Sequence, residues 1–245
     1  MSLDLANYKA HAQEAVKLFW GNREAALSKQ AEAGTQDAGA RGAVTAGKNL
    51  DGFVGMVQLL VEANGLWDAE ICVKKKVLVL PGFYRPTKEW DMLIMHRGQL
   101  IAALEFKSQV GPSFGNNFNN RSEEVMGSAH DLWTAYREGA FGKDAARPFL
   151  GWLMLVEECE ASTVPVSVKE PHFRVDPVFR GASYIERYDI LCKRLVQEGL
   201  YTSTALMASP REAVDDGRHT SMSDLTSLKT FVTEFAGHIA AVAAR

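Results

Sequence analysis

Cysteine is scarce in this chain. Cys72, Cys159 and Cys192 are the only three among 245 residues. They are far apart, odd in number and lack metal-ligand spacing. A disulfide framework and a thiolate metal centre are thereby excluded, and reduced, buried thiols are expected. Long apolar runs are missing as well. None approaches the length of a bilayer-spanning helix, and the opening MSLDLANYKAHAQ is too polar for a signal peptide. The expectation is a cytoplasmic protein. There is no internal repeat, no low-complexity tail, no Gly-rich cofactor fingerprint and no nucleophile motif, which argues against a metabolic α/β enzyme.

A large excess of charge of one sign is also absent. The formal net charge is −3, so the chain as a whole offers a polyanion no attraction. The distribution is uneven, however. Residues 71–121 hold Lys74, Lys75, Lys76, Arg85, Lys88, Arg97, Lys107 and Arg121 against Glu89, Asp91 and Glu105, or 8 − 3 = +5. The acids gather in 123–160 and 212–216. A nucleic-acid groove and an ordinary solvated surface both fit this pattern. At 47% hydrophobic and 23% charged residues, the composition suits a globular fold with a sizeable core.

Hydrophobic periodicity predicts a helix over 4–33, through Leu5, Tyr8, Ala12, Ala15, Val16, Phe19 and Trp20. A Gly/Ala/Thr-rich loop over 34–47 follows. A buried helix is expected over 50–63, stopped by Asn64-Gly65. Strands are predicted at 71–80, 90–96 and 100–106, the last two joined by the short loop Arg97-Gly98-Gln99. Helical spacing returns over 122–139, with Ser122 as its start. An apolar strand follows over 149–156. The C-terminal third reads as a loop over 164–179 and helices over 183–198 and 223–243. The order helix, strand, strand, strand, helix, strand implies an α/β fold with a mixed central sheet covered by helices on both faces.

The chemistry concentrates in Trp90-Asp91 and Leu104-Glu105-Phe106-Lys107. Residues two apart in a strand share a face, so Glu105 and Lys107 project together. If His96 pairs with Leu100 across a three-residue loop, Asp91 stands opposite Glu105, with Cβ atoms about 5 Å apart. Two carboxylates and an ammonium then converge from one hairpin. A one-residue slip would send Asp91 to the other face. Close carboxylates repel, and a divalent cation relieves this; Mg²⁺ favours such hard oxygen ligands. A structural ion pair on a sheet face is the competing reading of the same spacing.

The following segment, 111–121, contains Asn116, Asn117, Asn119, Asn120 and Arg121. It is expected to be a loop. Asn can bind adenine and Arg guanine in the major groove. An Asn-rich turn closed by its own hydrogen bonds is the alternative.

The run PGFYRPTKEWDMLIMHRGQLIAALEFKSQVGPSFGNNFNNRSEEVMGSAHDLWTAYREG resembles the XhoI-type restriction endonucleases, of the PD-(D/E)xK nuclease superfamily. The likeness extends upstream through 41–53 and downstream through 171–201. It implies a restriction-endonuclease-like core and a type II enzyme. That enzyme would be a homodimer that needs Mg²⁺ and cuts double-stranded DNA at the palindrome CTCGAG, leaving 5′ overhangs. By position, Asp91 and Glu105 would bind metal, with the Phe106 backbone carbonyl, and Lys107 would be the catalytic lysine. Trp90 stands where the superfamily signature has proline. An additional acid from the preceding helix would be Glu62, with Asp51 second. DNA contacts are expected first at the four asparagines and Arg121. His172 and Arg174 in Lys169-Glu170-Pro171-His172-Phe173-Arg174 come next, with Arg41, Thr45, Lys48 and Asn49 as phosphate contacts. One nuclease domain over 1–245 is expected: an N-terminal helix and loop (1–47), a catalytic core (48–160) and a helical C-terminal part (161–245). The first helix, with Phe19 and Trp20, is either a dimer or DNA-contact arm or core packing. A structure-specific repair nuclease and a non-catalytic DNA-binding protein are the rival functions.

Overall fold

The computed structural model describes residues 3–32 and 50–245. Arg41, Thr45, Lys48 and Asn49, named above as phosphate contacts, lie outside the described residues. The architecture is α/β, built on a five-stranded mixed sheet of order β1-β4-β5-β6-β7. The sheet strands are β1 (Glu70–Cys72), β4 (Met92–His96), β5 (Gln99–Gln109), β6 (Phe149–Glu157) and β7 (Ser203–Ser209); β2 (Val79–Pro81) and β3 (Thr87–Glu89) form a separate hairpin. β1, β4 and β5 are antiparallel, whereas β5, β6 and β7 run parallel.

Helices cover both faces. α1 (Tyr8–Glu32), α2 (Asp51–Ala63) and α5 (Leu228–Ala243) pack on one side, where Phe19, Phe53, Phe149, Phe231 and Phe235 build one core cluster. α3 (Phe114–Arg137) and α4 (Tyr184–Gln197) pack on the other, around Trp90, Trp152, Tyr188 and Tyr201. β6, sandwiched between them, is buried at every position, which is why its sequence FLGWLMLVE is a continuous apolar run and not an alternating one. Among the described residues no helix is long and apolar enough to cross a membrane. The three cysteines are free; Cys72 and Cys192 are buried, but Cys159 is only half-buried.

Three expectations are corrected, and one pair of alternatives is decided. First, residues 71–80 are not one strand. β1 ends at Cys72, and Lys75–Val77 form a 3-10 turn before β2 begins. Lys74, Lys75 and Lys76 remain exposed, which a regular strand would make difficult for consecutive ammoniums. Second, the Asn-rich segment is no loop, because α3 begins at Phe114 and contains all four asparagines. Packing overrides their turn preference: Phe114 stacks on Tyr184 and Phe118 meets Tyr188 edge-on, with centroids 5.9 and 5.1 Å apart. Ser122 thus sits inside the helix, donating to the Phe118 carbonyl at 2.8 Å, and caps nothing. Third, the C-terminal part is not merely helical, since it supplies β7 to the sheet. Of the two readings of Phe19 and Trp20, core packing is the one observed: both are buried, with the Trp20 indole donating to Ser209 Oγ at 3.0 Å.

The β4–β5 hairpin turns on two residues, not three. His96 pairs with Gln99, and Arg97 and Gly98 both have positive φ (49° and 75°), as a type I′ turn requires. A β-bulge at Ile101 then inserts one residue into β5, so Ile94 pairs with Ala102 and Met92 with Leu104. The shorter turn and the extra residue cancel. Beyond the bulge the ladder runs as a three-residue loop would set it, and Asp91 and Glu105 occupy its next opposed positions.

Candidate active site

Glu105 and Lys107 project from β5 toward the face covered by α3. Pairing with β4 stops at Met92–Leu104, so the backbone of Phe106 has no strand partner on that edge. Its N–H donates to Asp91 Oδ2 instead, at 2.9 Å. The same oxygen accepts from Lys107 Nζ at 2.9 Å. Lys107 lies 3.9 Å from Glu105 Oε1 and 3.8 Å from Glu124 Oε1 of α3. The three side chains named from the sequence therefore converge.

Their environments differ. The Asp91 side chain is 39% exposed, that of Lys107 15% and that of Glu105 only 1%. Glu105 Oε1 accepts from Lys88 Nζ, whereas the buried Oε2 has no hydrogen-bond partner. Such an orphaned carboxylate oxygen is costly in a protein interior unless an ion or water completes it. Burial alone would lower the Lys107 pKa, but Glu105, Asp91 and Glu124 outweigh it and hold the ammonium above the ordinary lysine value. Burial acts on Glu124 in the opposite sense to Lys107, Arg121 and Lys88, which together keep its carboxyl below the usual range.

An open cleft of about 680 Å³ runs past the exposed edge of this cluster. Asp51 and Gln58 of α2 line it together with Lys75, Glu89, Asp91, Lys107 and Arg121. Cationic groups thus border the acids where a phosphate chain could lie. Asp51 faces this cleft. Glu62, named first from the sequence, instead lies in a separate groove with His11, Glu14 and Leu18 of α1.

The recognition residues are divided. At 100° per residue, Asn117, Arg121 and Glu124 share one side of α3, and Arg121 pairs with Glu124 at 2.5 Å. Asn119 lies about 160° round from Arg121 and lines a groove against Leu191 and Arg194 of α4. Asn116 and Asn120 are exposed. His172 and Arg174 are exposed on a loop braced by Glu170 and Arg180 (3.1 Å), and neither lines the cleft.

Sequence reasoning missed Lys88, Gln58 and Glu124. Glu124 had a signal, since it stands one helical turn from Arg121. Lys88 had little, because its hairpin is held by a distant residue. Asp131 of α3 accepts the N–H groups of Phe83 and Tyr84, both at 2.8 Å, and Arg85 Nε at 2.9 Å. A Cβ at Gly82 would stand 2.5 Å from the Arg85 carbonyl oxygen and 2.6 Å from Asp131 Oδ2, so this close approach requires glycine.

The family model for restriction endonuclease XhoI matches residues 29–221, which include the whole cluster. The chain belongs to the XhoI restriction endonuclease family. Among its relatives, the type II restriction enzyme XhoI of Xanthomonas vasicola is 52% identical over 200 residues, covering 81% of this chain and 79% of that protein. The type II restriction enzyme AbrI of Azospirillum brasilense is 58% identical over 174 residues, 71% of this chain and 78% of the other. The type II restriction enzyme BstVI of Geobacillus stearothermophilus is 45% identical over 223 residues, 89% and 98% respectively. No solved structure matches. Restriction enzymes act on double-stranded DNA, and in this XhoI-family chain the acidic cluster borders an open cleft. Most of α1 and all of α5 lie outside the XhoI-family match.

Proposed function

We propose that this chain is a Mg²⁺-dependent type II restriction endonuclease that hydrolyses double-stranded DNA at the palindrome CTCGAG, leaving 5′ overhangs, and that it works as a homodimer. The observation that carries the reading is the meeting of Asp91, Glu105 and Lys107 beside an open cleft that Asp91, Lys107, Lys75 and Arg121 help to line. Family membership supports the DNA substrate. The palindrome argues for a two-fold pair of subunits, each reading one half-site.

The donors fit a hard cation. Asp91 and Glu105 offer carboxylate oxygens, Glu105 Oε2 is without a partner, and the cleft lining contains neither Cys nor His. In a strand the N–H and C=O of one residue point to the same edge. The Phe106 N–H already faces Asp91, so its carbonyl opens to the same spot. Asp91, Glu105 and the Phe106 carbonyl would hold the ion, with Asp51 as the helix acid nearest the cleft. When bound, the ion supplies Lewis-acid polarisation of the phosphodiester and a more acidic water.

The protein's own groups do the rest. Lys107, whose ammonium faces three carboxylates, would donate to the attacking water and offset charge growing on the phosphate oxygens. The Phe106 N–H fixes the Asp91 rotamer, so the acid meets its partner without reorganising. Arg121 and Asn117 present the α3 side that faces the groove, where they would contact backbone and base edges. Incubation with plasmid DNA and Mg²⁺ tests the reading. Discrete fragments ending at CTCGAG, with no cutting of a plasmid lacking it, are expected. Cleavage that follows DNA ends or shape would instead indicate a repair nuclease, and binding without cleavage a non-catalytic protein.

A further inference from the structure

The cluster contains a cation that the nuclease signature does not require. Lys88 of β3 donates to Glu105 Oε1 and to the Glu89 carbonyl at 3.2 Å, and its Nζ lies 4.5 Å from the centroid of the Trp90 ring. Its side chain is only 10% exposed. The ammonium is thus fixed by a carboxylate, a carbonyl and an aromatic face. It neutralises the more buried of the two acids, while Lys107 leans toward the more exposed one.

We infer that Lys88 is a built-in counter-ion occupying the place of the metal at Glu105, and that a divalent ion must displace it to bind. The inference rests on the reading that Asp91 and Glu105 form the metal site. A metal ligated through Glu105 Oε1 would stand where the Lys88 ammonium already is, and one ligated through the unpartnered Oε2 would still share the carboxylate with it. Two cations on one carboxylate repel strongly in so dry a setting. Without Lys88, however, Glu105 would be an uncompensated buried charge in the metal-free protein. The placement of Lys88 suits exchange: it is carried by a two-stranded hairpin outside the five-stranded sheet whose tip Asp131 anchors to α3, so the long side chain can swing aside while the hairpin and the central ladder stay in place. The Trp90 face and the Glu89 carbonyl remain to receive the displaced ammonium.

The test is Mn²⁺ titration of the full-length, DNA-free protein by calorimetry, paired with thermal melts with and without Mn²⁺. Lys88→Met keeps the aliphatic stem against Trp90 and removes the charge. It should bind Mn²⁺ at least about tenfold more tightly than wild type, since a competing like charge is gone. It should also melt lower than wild type without metal and recover with it. Lys88→Arg keeps the charge and should bind Mn²⁺ as weakly as wild type. Should Lys88→Met not fold, Lys88→Gln is read by the same criteria. Glu105→Gln separates the two ideas. Mn²⁺ binding that depends on Glu105 but is no tighter in the Lys88 variants overturns the counter-ion inference alone. Mn²⁺ binding indifferent to Glu105 overturns the metal-site reading beneath it.

Discussion

Lys107 Nζ stands 2.9 Å from Asp91 Oδ2 but 3.9 Å from Glu105 Oε1. The lysine therefore leans on the exposed acid and leaves the buried one to Lys88 and to an oxygen without a donor. This asymmetry assigns the acids different burdens. Asp91 is positioned by hydrogen bonds, whereas Glu105 is positioned by enclosure in the sheet.

Asp91→Ala and Glu105→Ala should each lower plasmid cleavage by a factor on the order of a hundred to a thousand or more, since each removes a charge that acts in the transition state. Specific binding in Ca²⁺, followed by gel shift, should survive in both. Wild-type turnover by either variant would remove that acid from the mechanism. Lys107→Ala should be folded, DNA-binding and equally inactive.

The two sides of α3 should separate. Arg121→Ala is expected to cost about 1–3 kcal/mol in affinity for cognate duplex, because Arg121 lines the cleft. Asn119→Ala should leave affinity and fragment pattern unchanged, because Asn119 faces the α4 groove. Equal losses from both substitutions would mean that DNA does not enter along the Arg121 side.

Asp131 gives a pH signature away from the metal cluster. Burial tends to raise its pKa, but the Tyr84 N–H, the Arg85 guanidinium and the Phe83 N–H outweigh this and hold it below the ordinary aspartate value. A carboxyl depressed in the folded state stabilises above its unfolded pKa, and that contribution disappears as pH falls through the folded value. Asp131→Asn should therefore lower stability by roughly 1–3 kcal/mol at pH 7, and the gap to wild type should narrow only once pH falls below the ordinary aspartate value, closing below the still lower folded one. Thermal melts across that range provide the check; a gap independent of pH would show that the hairpin tip does not depend on this charge.

Phe19→Ala should cost about 3–5 kcal/mol of stability through the cavity it leaves, with the oligomeric state in light scattering unchanged among folded molecules. A monomer of undiminished stability would place α1 in the subunit interface instead of the core.

The parts legible in the sequence were those governed by short-range rules. The Asn64-Gly65 stop of α2, the existence of the β4–β5 hairpin, the apolar β6 and the shared face of Glu105 and Lys107 follow from local periodicity, whereas the facing of Asp91 and Glu105 came out as expected because a shorter turn and a bulge cancel. What stayed hidden depends on distant partners. The Asn-rich start of α3 is helical because Phe114 and Phe118 pack against Tyr184 and Tyr188, seventy positions further on (184 − 114 and 188 − 118). β7, with the sequence STALMAS, has only Leu206 and Met207 as large side chains and no alternating pattern; it is a strand because β6 pairs with it and helices pack against it. Lys88 reaches Glu105 only because Asp131 draws the β2–β3 tip onto α3.

The bulge at Ile101 has a bearing on how such hairpins can vary between relatives. Thirteen residues separate the two acids (105 − 91 − 1). A two-residue turn plus one bulged residue, or a three-residue turn on a straight ladder, use the same total and bring the same carboxylates face to face. Drift at the tip is therefore tolerated if an insertion there is matched by a deletion within the strand. An unmatched change of one residue would turn the acids back to back, so the quantity held constant should be the separation and not the shape of the turn.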